Sequence, residues 1–259
     1  MMSSKMSRIH RRILFKNPFC PENSRRAKNR NFYKMYWIRN IQSKPQRAEF
    51  KKECAVIVAH PDDESLWAGG VMLMNRRRRW KIVTVCRGGD PDRAPRFYRA
   101  AERYGAVGIM ADLDDGPRQA PLNPFAVEQA IVSLVGGGEY GCVYTHSPFG
   151  EYTRHRRHEE TGKAVLALWE QQALRIGQLW VFAYEDDGGG GLPRAVRNAH
   201  KELALPENVW RQKRAIITDT YGFAEDSFEA RATPRAEAFW VFDTPECMRA
   251  WMNRKSRQA

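Results

Sequence analysis

The chain has 259 residues, of which 42% are hydrophobic, so it is long enough to bury a full core in one large domain or two small ones. Its five cysteines include no CxxC pair and their number is odd, which argues against a disulfide framework or a cysteine zinc site and favours the reducing cytoplasm. No apolar stretch approaches the ~20 residues of a membrane span, and the amino-terminal residues have no signal-peptide pattern, so we expect a soluble protein.

The net charge of +13 is confined to the amino-terminal segment. Residues 1–52 carry 15 Lys and Arg against Glu22 and Glu49, so residues 53–259 sum to zero. We therefore expect 1–52 to be a basic, disordered extension and 53–259 to be the folded domain. Because aromatic residues are interleaved with these charges, binding of the extension to nucleic acid or to an anionic membrane surface is the alternative.

From residue 53 onward, short apolar runs alternate with longer helical stretches. Strands of this kind separated by helices predict βαβ units, and hence an α/β Rossmann-like three-layer sandwich with a mostly parallel sheet. Further on, 207–222 predicts a helix and 238–242 a late strand. The five predicted parallel strands are "CAVIVA" (54–59), "KIVTVC" (81–86), "VGIMADL" (107–113), "GCVYTH" (141–146) and "QLWVFAY" (178–184).

The first of these strands ends in an unusual charge cluster, "HPDDE", at residues 60–64. In open parallel sheets, ligands bind in the crevice beyond the carboxyl ends of the strands, which is where these side chains are expected. Carboxylates at a helix amino terminus also suit the helix dipole, which is the structural alternative. That alternative accounts for Asp62, Asp63 and Glu64 but leaves His60 unexplained.

A second cluster, "HRRH" at 155–158, follows the fourth strand and places His155 and His158 three residues apart at the start of a helix. Together with His60 and Asp63, His158 completes a set of two imidazoles and one carboxylate. Such a set suits zinc with an open position for water, and it also suits ferrous iron. The two clusters at one edge of the predicted sheet therefore indicate a metal site.

"AHPDDE" at 59–64, followed about ninety residues later by "HRRH", resembles the PIG-L (LmbE-like) deacetylase family. The resemblance implies a zinc-dependent hydrolase that removes an N-acetyl or related N-acyl group from an amino-sugar conjugate such as an N-acetylglucosaminyl compound. It further implies that His60, Asp63 and His158 hold the metal. Asp62 would then be the general base, and His155 would stabilise the oxyanion or act as an acid.

One position departs from the family pattern. Many members have an aspartate just before the second zinc-site histidine, where this chain has Arg157. A cation there would depress the pKa of a neighbouring imidazole, so Arg157 either keeps His155 neutral or points away from it and only solvates the helix.

The sequence indicates the substrate-binding residues less clearly than the metal ligands. Arg87 and Asp115 follow the second and third strands into the same crevice, so they are candidates to contact substrate hydroxyls or phosphate, although solvated loop residues occur there as often. Two alternatives to an amino-sugar deacetylase stay open: a metal hydrolase of another amide or ester, and a non-catalytic polyanion-binding protein that uses the basic extension. The sequence also leaves a homo-oligomer open.

Overall fold

A computed structural model describes residues 53–186 and 191–257. The extension expected at 1–52 lies outside these residues. Within them, the first strand begins at Glu53. None of the helices in these two ranges has the length and apolar character needed to cross a bilayer.

Five adjacent parallel strands form most of a seven-stranded sheet, as the sequence predicts. The sheet order is β3-β2-β1-β4-β5-β9-β8, and β9 pairs antiparallel with both β5 and β8. A separate two-stranded ribbon pairs β6 with β7. The strands are β1 (Glu53–Val58), β2 (Trp80–Cys86), β3 (Ala106–Leu113), β4 (Glu139–Thr145), β5 (Arg175–Phe182), β6 (Tyr184–Glu185), β7 (Arg194–Ala195), β8 (Lys201–Ala204) and β9 (Ala236–Phe242).

Helices cover both faces of this sheet, which confirms the three-layer α/β class. On one face α1 packs against α2, α5 and the π-helix, and on the other α3 and α7 pack against α4. The helix predicted at 207–222 is divided, because its second half is a π-helix. The helices are α1 (Asp63–Met74), α2 (Arg93–Tyr104), α3 (Pro124–Val135), α4 (Arg156–Glu170), α5 (Glu207–Ala215), the π-helix (Ile216–Thr220), α6 (Phe228–Ala232) and α7 (Pro245–Lys255).

The apolar run before the charge cluster is explained by its position in the sheet. β1 is paired on both edges, with β2 and with β4, and α1 and α4 pack against it. Residues 54–58 are therefore fully buried. A strand buried on both sides reads as a continuous apolar run. By contrast, edge strand β3 leaves Val107 57% exposed.

The cysteines correct one expectation. The structure joins Cys54 of β1 to Cys142 of β4 by a disulfide, whose Cα atoms are 4.9 Å apart. These residues are direct neighbours in the register of the two strands, although 88 positions separate them in the chain. Cysteine usage therefore no longer argues for the cytoplasm. Cys86 is buried as a free thiol.

Gly162 on α4 packs closely against the backbone of His146 and Pro148. A Cβ atom there would lie 2.5 Å from the main-chain oxygen of His146 and 3.0 Å from the nitrogen of Pro148. Because the clash is with backbone, we predict that Gly162→Ala lowers the free energy of unfolding by roughly 1–3 kcal/mol. Chemical denaturation measures this, with Gly137→Ala as control, since a Cβ at Gly137 meets nothing within 4 Å. Equal stability of the two variants would contradict the packing described.

Candidate metal and hydrolase site

The sheet topology creates a crevice between β1 and β4. The chain runs outward from β1 to β3 on one side and then returns to place β4 on the other side of β1. Such a switch point is where ligands bind in open α/β sheets. His60, Asp62 and Asp63 leave β1 there, and α4 brings His158 to the same point.

Three potential ligand atoms meet in this crevice, from the residues that the sequence predicts as metal ligands. Nδ1 of His60 lies 3.2 Å from Oδ2 of Asp63, and Nε2 of His158 lies 3.3 Å and 3.4 Å from those two atoms. A tetrahedral ion with bonds near 2.0–2.1 Å separates its ligands by roughly 3.3 Å. The spacing therefore fits one small cation. Two further groups share these residues, His60 with His155 and His158, and Asp63 with His146 and His158. Within each group the potential ligand atoms lie within 4.8 Å of one another.

A carboxylate lies behind each of these two histidines. Oδ1 of Asp115 is 3.2 Å from Nε2 of His60, and Oε2 of Glu151 is 2.8 Å from Nδ1 of His158. A hydrogen bond on one ring nitrogen sets the tautomer and leaves the other nitrogen for a metal. The free nitrogens are thus Nδ1 of His60 and Nε2 of His158, the two that face Asp63.

His146, which the sequence analysis missed, contacts both His158 and Glu151. Its ring stacks on His158 with centroids 3.9 Å apart, and its Nδ1 lies 3.0 Å from Oε1 of Glu151. Its Nε2 accepts a hydrogen bond of 3.0 Å from the amide of Ala59, so that lone pair is engaged by the protein. His146 could have been found from its position in the sequence, because it directly follows β4, whose carboxyl end lies at the switch point.

Asp62 lies beside the three ligand atoms with an unusual backbone. Its φ is +109°, and as the residue before α1 it makes no side-chain cap. Its carboxylate instead lies 3.3 Å from Nη1 of Arg93. Burial, together with the neighbouring charges of Asp63 and Glu64, raises the pKa of Asp62 well above its usual range. The two adjacent aspartates therefore face different partners, Arg93 for Asp62 and His158 for Asp63.

The strained conformation is held by a buried hydrogen-bond network. The amide of Asp62 donates to Oε2 of Glu64 at 3.0 Å, and the hydroxyl of Tyr221 donates to Oε1 of Glu64 at 2.8 Å. The Ser65 hydroxyl also donates to Oε1 and itself accepts from Tyr104. Tyr221 follows the π-helix, so a distant segment fixes the turn that carries Asp62.

His155 is neutral, but groups other than Arg157 keep it so. The Arg157 guanidinium is buried on the Asp114–Ala120 segment, where it donates to the main-chain oxygens of Asp114 and Ala120 and to the carboxylate of Glu160. His155 instead stacks on His158, with its Nδ1 buried and without a hydrogen-bond partner. Burial and the neighbouring histidines lower the pKa of His155 to about 4.

The two predicted substrate contacts bind each other. Nε and Nη2 of Arg87 lie 2.8 Å and 2.7 Å from Oδ2 of Asp115, while Oδ1 of Asp115 faces His60. Both side chains line the crevice, but the contacts of Asp115 are with His60, Arg87 and Gln119. Asp115 is therefore placed to orient the ring of His60.

No family model and no curated protein matches this chain. Solved structures do match the structure of this chain. N,N'-diacetylchitobiose deacetylase from Pyrococcus horikoshii matches with a TM-score of 0.52 at 14% identity, over 74% of this chain and 84% of that one. A triple mutant of the teicoplanin-pathway deacetylase Orf2 matches with a TM-score of 0.53 at 14% identity, over 74% and 98%.

The chain shares the fold of these two deacetylases. The resemblance drawn from its motifs is thus confirmed at the level of the fold. The same fold is shared by GalB, the 4-carboxy-2-hydroxymuconate hydratase from Pseudomonas putida KT2440, with a TM-score of 0.50 at 16% identity, over 73% of this chain and 95% of that one. Because the fold accommodates more than one reaction, the side chains of the site have to decide the chemistry.

In this fold the crevice opens into a cavity of about 330 Å³. Its lining is mainly polar and charged, and besides the potential ligands it includes the side chains of Asp62, Arg93 and Glu229. Leu66, Tyr152 and Phe228 are its larger apolar members. The volume is within the range of small-molecule sites.

The carboxylate behind His60 generates a testable prediction. Asp115→Asn replaces an acceptor that holds the His60 tautomer, so we expect the affinity for Zn²⁺ to fall by about 10–100-fold. Competition with a chromophoric chelator measures this. Asp114→Asn is the matched control, because the neighbouring carboxylate is 65% exposed and contacts Arg157 rather than a histidine. Similar affinities for both variants would exclude the proposed orientation of His60.

Proposed function

We propose that the protein is a zinc-dependent hydrolase that removes an N-acetyl or related N-acyl group from a small amino-sugar conjugate. The observation that carries the proposal is the triad of His60, Asp63 and His158 at tetrahedral spacing, with the carboxylate of Asp62 beside it. The names of the structural neighbours, a diacetylchitobiose deacetylase and a teicoplanin-pathway deacetylase, support the choice of reaction.

The donor set fits the metal. Two imidazole nitrogens and one carboxylate oxygen leave a position open, which is typical of catalytic zinc, and ferrous iron accepts the same set. Held by His60, Asp63 and His158, zinc would polarise the amide carbonyl and lower the pKa of a water molecule.

The remaining steps belong to side chains of this chain. Asp62 takes a proton from the attacking water, and its raised pKa suits a base that must later release that proton. Arg93 holds the Asp62 carboxylate in place. His155 is neutral because its pKa is low, so its ring N–H donates a hydrogen bond to the oxygen on which negative charge develops. Protonated Asp62 then delivers the proton to the leaving amine.

Hydration of a double bond, the reaction named for GalB, is the competing chemistry on this fold. Amine release from N-acetylglucosaminyl compounds separates the two, because a hydratase liberates no amine. The assay uses protein stripped of metal and reloaded with Zn²⁺ or, without oxygen, with Fe²⁺. Amine release that requires the metal supports the proposal, and its absence across N-acetylated and other amide substrates would overturn it.

The division of labour between the adjacent aspartates can be tested. Asp62→Asn should keep zinc at wild-type stoichiometry and reduce turnover by ~10²–10⁴-fold, because it removes only the base. Asp63→Asn and His158→Ala should lose zinc, since each removes one of three protein ligands. Elemental analysis beside the amine-release assay distinguishes these results, with exposed Asp226→Asn as control. Loss of zinc from Asp62→Asn alone would reverse the assignment.

Tyr221 is expected to act through Glu64 on Asp62. Tyr221→Phe removes a hydrogen bond to a buried carboxyl group, and we predict that kcat falls by about 10-fold while KM and zinc content are unchanged. Tyr98→Phe is the control, because that side chain is 50% exposed and lies outside this network. A fall in stability of Tyr221→Phe with wild-type kcat would show that the network is structural only.

A further inference from the structure

The guanidinium of Arg93 connects the Asp62 carboxylate to an aromatic ring outside the cavity. Nη1 of Arg93 lies 3.3 Å from Oδ2 of Asp62, and its Cζ atom lies 4.7 Å from the centroid of the Phe223 ring. Phe223 is not among the residues that line the cavity. Its ring is therefore placed to act on Asp62 through Arg93 rather than on a substrate.

The contact with Asp62 is not enough to fix the direction of Arg93. Arg93 begins α2 and its side chain is 35% exposed, so the long side chain can extend into water. Its contact with Asp62 is a single nitrogen–oxygen pair, not the two parallel bonds that hold a guanidinium in one orientation. Among the described residues, the ring of Phe223 is the second partner of the guanidinium. An aromatic face attracts a cation, so the ring limits the directions that Arg93 can take.

Phe223 is itself held in a defined position after the π-helix. Its amide donates to the main-chain oxygen of Ile217 at 3.2 Å, and its side chain packs against the core. Arg96, one turn further along α2 than Arg93, donates to the main-chain oxygen of Tyr221. The segment after the π-helix and α2 thus contact each other twice, which keeps the ring of Phe223 beside the start of α2.

We propose, on the basis of the function proposed above, that Phe223 is a positioning residue for the reaction. Its ring keeps the Arg93 guanidinium against the Asp62 carboxylate, so that this carboxylate faces the attacking water. Tyr221 fixes the backbone of Asp62 through Glu64. Phe223, two residues later, fixes the side chain through Arg93. Because the chemical step depends on this placement and substrate binding does not, Phe223 contributes to kcat and not to KM.

The first test removes the ring while keeping an apolar side chain on the core. Phe223→Leu loses the aromatic face, and Phe223→Tyr retains it. For the full-length, zinc-loaded protein acting on N-acetylglucosaminyl compounds, we expect Phe223→Leu to lower kcat by about 10-fold, with KM and zinc content unchanged. Phe223→Tyr should keep kcat within about twofold of the wild type. Wild-type kcat in Phe223→Leu, or an equal loss in both variants, would overturn the inference.

A double-mutant cycle shows whether the effect passes through Arg93. In the Arg93→Gln background the ring has no cation to hold, so Phe223→Leu should lower kcat by less than about twofold further. Chemical denaturation of the same four full-length proteins should show coupling between the two side chains in the free energy of unfolding. Additive effects on kcat would mean that Phe223 acts by another route, and the inference would be wrong.

Trp210→Leu is the matched control, because the Trp210 ring also faces a guanidinium, that of Arg235 with its Cζ atom 3.7 Å from the centroid, and neither residue lines the cavity. It should lower stability and leave kcat unchanged. If the wild type releases no amine from any substrate, the proposed function fails, and coupling in the unfolding free energy would still support the placement of Arg93 by Phe223. Absence of that coupling would overturn the inference even if amine is released.

Discussion

One buried carboxylate oxygen organises the site. Oδ2 of Asp63 accepts a hydrogen bond of 2.9 Å from the amide of His60 and lies 3.2–3.4 Å from a ring nitrogen of His60, His146 and His158. A buried charge is tolerated only when it is paired in this way, so Asp63 and the histidines must be placed together.

This constraint extends into the backbone. To direct Asp63 at the histidines and Asp62 at the cavity within one turn, the chain places Asp62 at a φ of +109°. Conformations of this kind cost about 1–3 kcal/mol and persist where the surroundings impose them. Here the surroundings are Glu64 and Tyr221, which lie 157 positions apart and meet behind the turn. The fold thus stabilises a strained turn beside the potential metal ligands.

The same contacts weigh against the structural alternative for the acidic cluster. Carboxylates that only complemented the dipole of α1 would point at its free amides or into solvent. Asp62 makes no cap, Asp63 is surrounded by imidazoles, and Glu64 is buried in the network with Tyr221. Glu151 and Asp115 orient two of those imidazoles from behind. Such orientation has no purpose in a helix cap but is common around metal ions.

The sequence by itself determined the five parallel strands and the helices between them, and it placed His60, Asp63 and His158 at one edge. It could do so because apolar periodicity specifies the elements, and because parallel strands have their carboxyl ends on the same side. Which nitrogen of His60 faces Asp63 depends instead on Asp115, a side chain 55 positions away. The direction of Arg157 likewise depends on the Asp114–Ala120 segment. The pairing of Cys54 with Cys142 follows from strand register, which periodicity does not encode. Only the tertiary structure decided these features, because each depends on contacts between side chains that are distant in the chain.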